Sequence, residues 1–289
     1  MIDLMILGKN GQLGAELVSA SEKSRVSYVA YSKEELNVTN YNKIHITILK
    51  IKPRVIINTA AFHVVPDCEI NPLNAFEVNC VSVSNLANIC KKYRIRFVTY
   101  STDYVFDGKK HKPYIEVDLP NPLQMYGLSK LSGEYAAFNN YPAGTFIIRT
   151  CGVYGGKKGS RSKKGNFVLN ILKKGKEKGD LEVNNMQIVN PTYAKDLAKA
   201  TLSLLDLKPD PGIYHIVSEG YTSWYNFAKK IFEYANINKK VIPVNKDTET
   251  EKIRRPVFSA LLNTKAKKLG IRLPFWADAL KNYIAETTK

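Results

Sequence analysis

Residues 3–23 read DLMILGKNGQLGAELVSASEK: an apolar run, a turn carrying three glycines, and an amphipathic helix. Working outward, further β-branched or apolar runs stand at 26–32 (VSYVAYS), 54–60 (RVIINTA), 96–102 (RFVTYST) and 145–150 (TFIIRT). Helical patterns fill most intervals, notably 74–93 (NAFEVNCVSVSNLANICKKY). Strands that alternate with helices pair in parallel through right-handed crossovers, so the expected class is α/β with a doubly wound parallel sheet.

Beyond residue 150 the rhythm changes. Residues 155–165 (GGKKGSRSKKG) have the composition of a loop, followed by a helix over 166–178, a short strand over 181–185, a helix over 193–206, a strand over 212–218 and a helix over 223–236 with Ser223 as its N-cap. The stretch 254–271 (RRPVFSALLNTKAKKLGI) reads as a turn leading into a short helix. The expected division is a Rossmann-type domain over 1–151 plus 189–218, with a smaller C-terminal substrate-binding lobe over 152–188 plus 219–289.

Bulk properties narrow the function. A chain of 289 residues, 44% hydrophobic, buries a large core. Cys68, Cys80, Cys90 and Cys151 have neither metal-knuckle nor dense disulfide spacing, so no metal site is expected and the thiols read as reduced. The N-terminus lacks the basic start of a signal peptide, and no run approaches the roughly 20 apolar residues of a membrane span. A cytoplasmic protein with no membrane partner is expected. The net charge of +17 is concentrated at 157–178, where nine Lys or Arg face one Glu. No recognition motif or aromatic platform accompanies that charge, so nucleic acid is not an expected partner, whereas an anionic small molecule is.

The first turn has specific physics. Gly8 permits the tight turn after the strand, Gly11 lets backbone approach a pyrophosphate, and Gly14 allows close helix packing; the helix start, with Gln12 and Leu13, offers unpaired N–H groups. A dinucleotide site follows. The second strand ends at Ser32 and Lys33, a hydroxyl and an ammonium where an NAD site usually has a carboxylate. That favours NADP, with NADH as the alternative, since Glu34 and Glu35 follow at once. Asn37 and Val38 are placed against the adenine, and Ala60 and Ala61 complete the cofactor contacts.

The strand 96–102 ends with Ser101, Thr102 and Asp103, which sets hydroxyls at the carboxyl edge of the sheet, where doubly wound folds bind ligands. After a proline-bearing loop, Tyr126 opens a helix that carries Lys130 one turn on. Tyr154 with Lys158 and Tyr225 with Lys229 share that spacing, so spacing alone decides nothing. Context does: Tyr154 reads as part of a glycine-rich turn, and Tyr225 follows no hydroxyl-bearing strand end.

Taken together, GKNGQLG, NTAAF, STDYVFDG, YGLSKLSGE, IIRTCGVYG, NPTYAKDLA, GIYHIVSEGYTSWYNFA and RPVFSALLNTK closely resemble the dTDP-4-dehydrorhamnose reductase family of extended short-chain dehydrogenase/reductases, nearly end to end. The resemblance implies reduction of the C4 ketone of a nucleotide-linked 4-keto-6-deoxyhexose by NADPH, with Thr102, Tyr126 and Lys130 as the catalytic set. Tyr126 would donate the proton, its phenol lowered from its ordinary pKa near 10 by Lys130 and the oxidised cofactor; Thr102 would hold the carbonyl oxygen and Lys130 the ribose. Val65, Asp103 and Tyr104 would line the sugar site. Arg255 and the basic loop at Lys163 and Lys164 would meet the diphosphate. A homodimer is left open. The chain departs from the family at three places: Gly152 stands where a tryptophan packs against the sugar, Pro66 replaces an acidic residue, and Val189 replaces a glycine. Gly152 implies a more open sugar pocket. The alternatives are a reductase or epimerase of another nucleotide sugar, or a non-catalytic NADP-binding regulatory subunit.

Overall fold

The computed structural model describes residues 2–156, 165–245 and 253–287. The first half runs β1 (Leu4–Leu7), α1 (Gln12–Lys23), β2 (Tyr28–Tyr31), α2 (Tyr41–Ile51), β3 (Val55–Asn58), α3 (Val65–Ile70), α4 (Pro72–Phe76), α5 (Ser82–Tyr93), β4 (Arg96–Thr102), α6 (Met125–Asn140) and β5 (Thr145–Thr150). The second runs β6 (Val153–Tyr154), α7 (Phe167–Lys174), β7 (Leu181–Asn184), β8 (Ile188–Val189), β9 (Thr192–Tyr193), α8 (Ala194–Leu207), β10 (Gly212–His215), β11 (Thr222–Ser223), α9 (Trp224–Tyr234), β12 (Val241–Val244), α10 (Thr264–Lys268) and α11 (Trp276–Thr287). Six strands form one parallel sheet in the order β10-β5-β4-β3-β1-β2, the expected doubly wound class.

Strand periodicity explains the continuous apolar runs. Successive side chains leave opposite faces, so Leu4 and Ile6 pack with Ile57, Val98 and Ile148 under α1 and α8, while Met5 and Leu7 pack with Ile56 and Phe97 under α2 and α5. Both faces are covered, so alternation with polar residues is absent. The strand order reverses at β1: β2 lies to one side and β3 to the other, and a crevice opens beyond their carboxyl ends.

A second core gathers Tyr154, Ile171, Val183, Tyr193, Phe227, Ile231, Trp276, Leu280 and Tyr283 from α7, α9, α11 and the short strands. Tyr154 is therefore no turn residue. It lies on β6, 1% exposed, with its ring 5.7 Å from Tyr193 and 5.2 Å from Tyr283. β7, paired with β12, answers the strand expected over 181–185, whereas β6/β9 and β8/β11, two residues each, are too short for a sequence signal. Two helices also differ from expectation: α7 stops before Gly175, a poor helix former, and the 74–93 stretch is interrupted by a π turn at Glu77–Val81.

The first glycine turn is closed by contact. Gly8, at φ +91°, donates to Tyr31 O at 2.8 Å, and Gly11 donates to Gly8 O at 2.9 Å. A Cβ on Gly14 would stand 2.2 Å from Gly8 O. Gly14→Ala is expected to lower stability by about 1–3 kcal/mol through overpacking, read as a lower denaturant midpoint with unchanged slope; an unchanged midpoint would mean that the turn relaxes freely.

Candidate active site

At the β1/β3 reversal lies a cleft of about 520 Å³ whose lining includes Gly8, Gly11, Lys33, Asn37, Val38, Ala60 and Ala61. Helix α1 starts at its edge with Gly11 as N-cap and no side-chain cap, so the N–H groups of its first turn remain available for an anion. The Gln12 side chain is used elsewhere: its Oε1 accepts from Gly155 N and from Asn166 Nδ2, each at 3.1 Å. Leu13 packs against the sheet core. Only the backbone of these two residues suits a pyrophosphate. These features, a close-approach glycine turn and an uncapped helix start at the strand reversal, fit a dinucleotide.

At the ribose end Lys33 is exposed and lines the cleft, whereas Ser32 is buried, 4% exposed, and caps a turn by accepting from Glu35 N at 3.3 Å. Glu35 is bridged by Lys9 Nζ at 2.7 Å and accepts from Ser32 N at 2.7 Å; the Lys9 ammonium, first among its partners, holds the carboxyl below its usual range. Of the two carboxylates that follow Lys33, Glu35 is thus compensated within the chain, whereas Glu34 lines the cleft beside Lys33.

The reacting end is built on the tip of β4. Thr102 Oγ1 accepts from Tyr104 N at 3.2 Å and donates to Asp103 Oδ1 at 3.1 Å. On α6, Tyr126 and Lys130 lie one turn apart, and the Thr102 hydroxyl is close enough to the Tyr126 phenol to favour its charged form. Lys130 is 5% exposed, and its ammonium has no hydrogen-bond partner among the described residues. Burial pushes it down to about 8, opposed by Glu134 one further turn along. Glu134 is held off Lys130 by Arg149, whose Nε and Nη2 donate to its two oxygens at 3.0 and 2.6 Å, both side chains being 3% exposed. The expected depression of the Tyr126 phenol is not produced by the chain itself. Burial, followed by the Asp103 charge, pushes it up, and Lys130 is not among the groups acting on it.

Asp103 was expected to line the sugar site, but it is 4% exposed and turned inward. Ser259 Oγ donates to its Oδ2 at 2.6 Å, and Cys151 also hydrogen-bonds it. Burial raises its carboxyl. Beside Tyr104, whose ring meets that of Tyr126 edge-on at 6.2 Å, lies a second cavity of about 490 Å³ lined by Val64, Val65, Pro66, Tyr104, Phe167, Gln187, Trp224 and Arg255. Of the expected substrate residues, Val65, Tyr104 and Arg255 line this one cavity. Gly152 does not line it: at φ +55° a Cβ would lie 3.0 Å from Asn190 O, so this backbone suits no tryptophan. Lys163 and Lys164 lie outside the described residues.

Sequence reading missed Gln187 and Trp224 because each needs a tertiary pairing to reach the cavity. It also missed Asn79, placed by the π turn so that its carboxamide accepts from Phe62 N at 2.9 Å and donates to Phe62 O at 2.8 Å and Ser129 Oγ at 3.0 Å. Among the described residues no group of three His, Cys, Asp or Glu could hold a metal ion, and no helix is long and apolar enough to cross a membrane.

Residues 2–289 match the family described as RmlD substrate binding domain. The chain belongs to this family. It is 34% identical over 286 residues to the spore coat polysaccharide biosynthesis protein SpsK of Bacillus subtilis, covering 99% of this chain and 98% of that one. A crystallised dTDP-4-dehydrorhamnose reductase from Clostridium acetobutylicum superposes with a TM-score of 0.92 at 32% identity, covering 100% of both chains. The dTDP-4-dehydrorhamnose reductase of Bacillus anthracis, crystallised with NADP, gives 0.90 at 32% identity and 99% coverage of each chain. Full-length relatives named dTDP-4-dehydrorhamnose reductase support the assignment of this chain as an NAD(P)-dependent oxidoreductase.

The Lys130 environment sets a pH dependence. Its ordinary value is 10.5 and the folded value about 8, so the unfolded chain binds the extra proton between them and folded stability rises with pH across that window. Relative to Lys130→Met, the wild type is expected to gain stability from pH 8 to 10.5, approaching about 3 kcal/mol, as measured by urea denaturation at both ends. A difference that stays flat would contradict the buried, uncompensated ammonium.

Proposed function

We propose that the chain uses NADPH to reduce the C4 ketone of a nucleotide-linked 4-keto-6-deoxyhexose, converting dTDP-4-dehydro-L-rhamnose to dTDP-L-rhamnose. The observation that carries this reading is the Thr102 hydroxyl at the tip of β4 close to the Tyr126 phenol, with Lys130 one turn further along α6 and the Tyr126 ring against that of Tyr104, which borders the second cavity. Full-length relatives named for this reaction, one crystallised with NADP, support it.

On this reading the backbone of Gly8 and Gly11 and the first turn of α1, at Gln12, Leu13 and Gly14, hold the pyrophosphate. Asn37 and Val38 flank the adenine, Ala60 and Ala61 the middle of the cofactor, and Lys33 the 2′-phosphate. Bound NADPH supplies the hydride to the sugar C4. Charge then grows on the carbonyl oxygen, where the Thr102 hydroxyl stabilises it. The phenol must begin protonated for reduction, and burial with the Asp103 charge keeps Tyr126 so. Its proton passes to the carbonyl oxygen, and the Lys130 ammonium, without a hydrogen-bond partner among the described residues, is left to hold the cofactor ribose. Arg255 faces the diphosphate from the cavity wall. Residues 1–151 and 189–218 serve the dinucleotide; 152–188 and 219–289 serve the sugar nucleotide.

Two measurements test this. Tyr126→Phe is expected to lower kcat by at least about a hundredfold with dTDP-4-dehydro-L-rhamnose while leaving the NADPH dissociation constant nearly unchanged; near-normal turnover would remove the assigned proton donor. Lys33→Glu is expected to shift the kcat/KM ratio of NADPH to NADH by about tenfold or more toward NADH, as one opposed charge contact implies. An unchanged ratio would mean that the 2′-phosphate is read elsewhere.

A further inference from the structure

The two shortest strands of the second core fix a pairing that the sequence does not disclose. β8 and β11 run antiparallel with Ser223 opposite Ile188, so the residues just beyond, Trp224 and Gln187, come together at one edge. Ser223 Oγ donates to Asn185 Oδ1 at 2.8 Å and locks the start of α9 to the turn before Gln187. Ile188 N donates to Val257 O at 2.8 Å, and Ser259 N donates to Ile188 O at 3.0 Å, which aligns the segment bearing Arg255 along the same edge. All three side chains line the cavity beside Tyr104.

Gln187 is 7% exposed, and its carboxamide makes no hydrogen bond to any described residue. Facing an open cavity, that amide keeps its hydrogen-bonding capacity for water or a ligand. It also presents two donors and an acceptor to the cavity. Next to it the rings of Phe167 and Trp224 lie 4.4 Å apart, both half-buried, forming an apolar wall. Position 152, left-handed and pressed on Asn190, provides no such wall.

We propose that Gln187 and the Trp224–Phe167 pair read the hexose of the substrate: the carboxamide bonds neighbouring ring hydroxyls, and Trp224 packs on an apolar face of the deoxysugar. The inference rests on the proposed sugar-nucleotide substrate and names the residues that select its sugar. Proximity favours the hexose over the base, because the cavity opens beside Tyr104, whose ring borders Tyr126. The reacting ring must lie against Tyr126; the diphosphate follows it toward Arg255. Vicinal hydroxyls both donate and accept, as a carboxamide does and a carboxylate does not.

The test uses the full chain saturated with NADP⁺ and titrated by calorimetry with dTDP-L-rhamnose and, separately, with dTDP. Gln187→Leu and Trp224→Leu are each expected to weaken dTDP-L-rhamnose at least tenfold and dTDP less than twofold, with Trp224→Phe restoring most of the loss. Gln187→Leu should melt near the wild-type temperature, since the amide it removes faces the cavity and holds no described residue. Equal weakening of both ligands would assign the cavity to the base or diphosphate and overturn the proposal. So would unchanged affinity for both, or a lower melting temperature for Gln187→Leu with affinity intact. If the wild type binds neither ligand, the sugar-nucleotide reading itself falls; if it binds both and only the variants disobey, that reading stands and the hexose assignment alone is lost.

Discussion

The hydrogen bond from Ser259 Oγ to the buried Asp103 carboxylate, 2.6 Å long, is the point on which the two halves of the site depend. Asp103 ends the strand that supplies Thr102, and it accepts from Thr102 as well. Ser259 belongs to the segment that pairs with Ile188 and carries Arg255. One carboxylate therefore ties the Thr102 hydroxyl to the segment that carries Arg255 on the wall of the second cavity. Burial makes the charged form of Asp103 expensive, and its three side-chain donors offset that cost. The same residue keeps Tyr126 protonated through its charge, so it links scaffold and chemistry without facing the sugar.

A second constraint is the spacing of charges along α6. Lys130 and Glu134 are one turn apart, close enough to pair and neutralise each other. Arg149 takes both carboxylate oxygens instead. Glu134 then acts on Lys130 at a distance, favouring its charge, while the three ammonium hydrogens stay available for other partners. Arg149 itself sits over the Phe106 ring at 5.2 Å, a packing that holds the fork in place.

What was legible in the sequence has a physical pattern. The sheet could be read because its strands are buried on both faces and its helices are amphipathic, both local signals. The glycine turn, the strand-end Thr102 and the Tyr126–Lys130 pair were legible because each depends on neighbours in the chain. Where the outcome depended on distant contacts, reading failed. Asp103 turns inward because Ser259, far along the chain, meets it. Tyr154 immediately precedes a loop-like stretch yet is drawn into a cluster with Tyr193 and Tyr283. Gln187 and Trp224 become neighbours only through two-residue strands, too short to leave periodicity. The resemblance to the reductase family, carried by several local motifs at once, survived because such motifs do not depend on any single long-range contact.

The central claim is that β4 and α6 bring a hydroxyl, a phenol and an ammonium to one face of a nicotinamide. A crystal structure of the chain with NADP⁺ and dTDP-L-rhamnose addresses this most directly. The expected result has Tyr126 Oη and Thr102 Oγ1 both within hydrogen-bonding distance of the sugar O4, Lys130 Nζ on the nicotinamide ribose, and the nicotinamide C4 facing the sugar C4. A complex in which the Tyr126 ring points away from the nicotinamide, with O4 met by some other group, would contradict it.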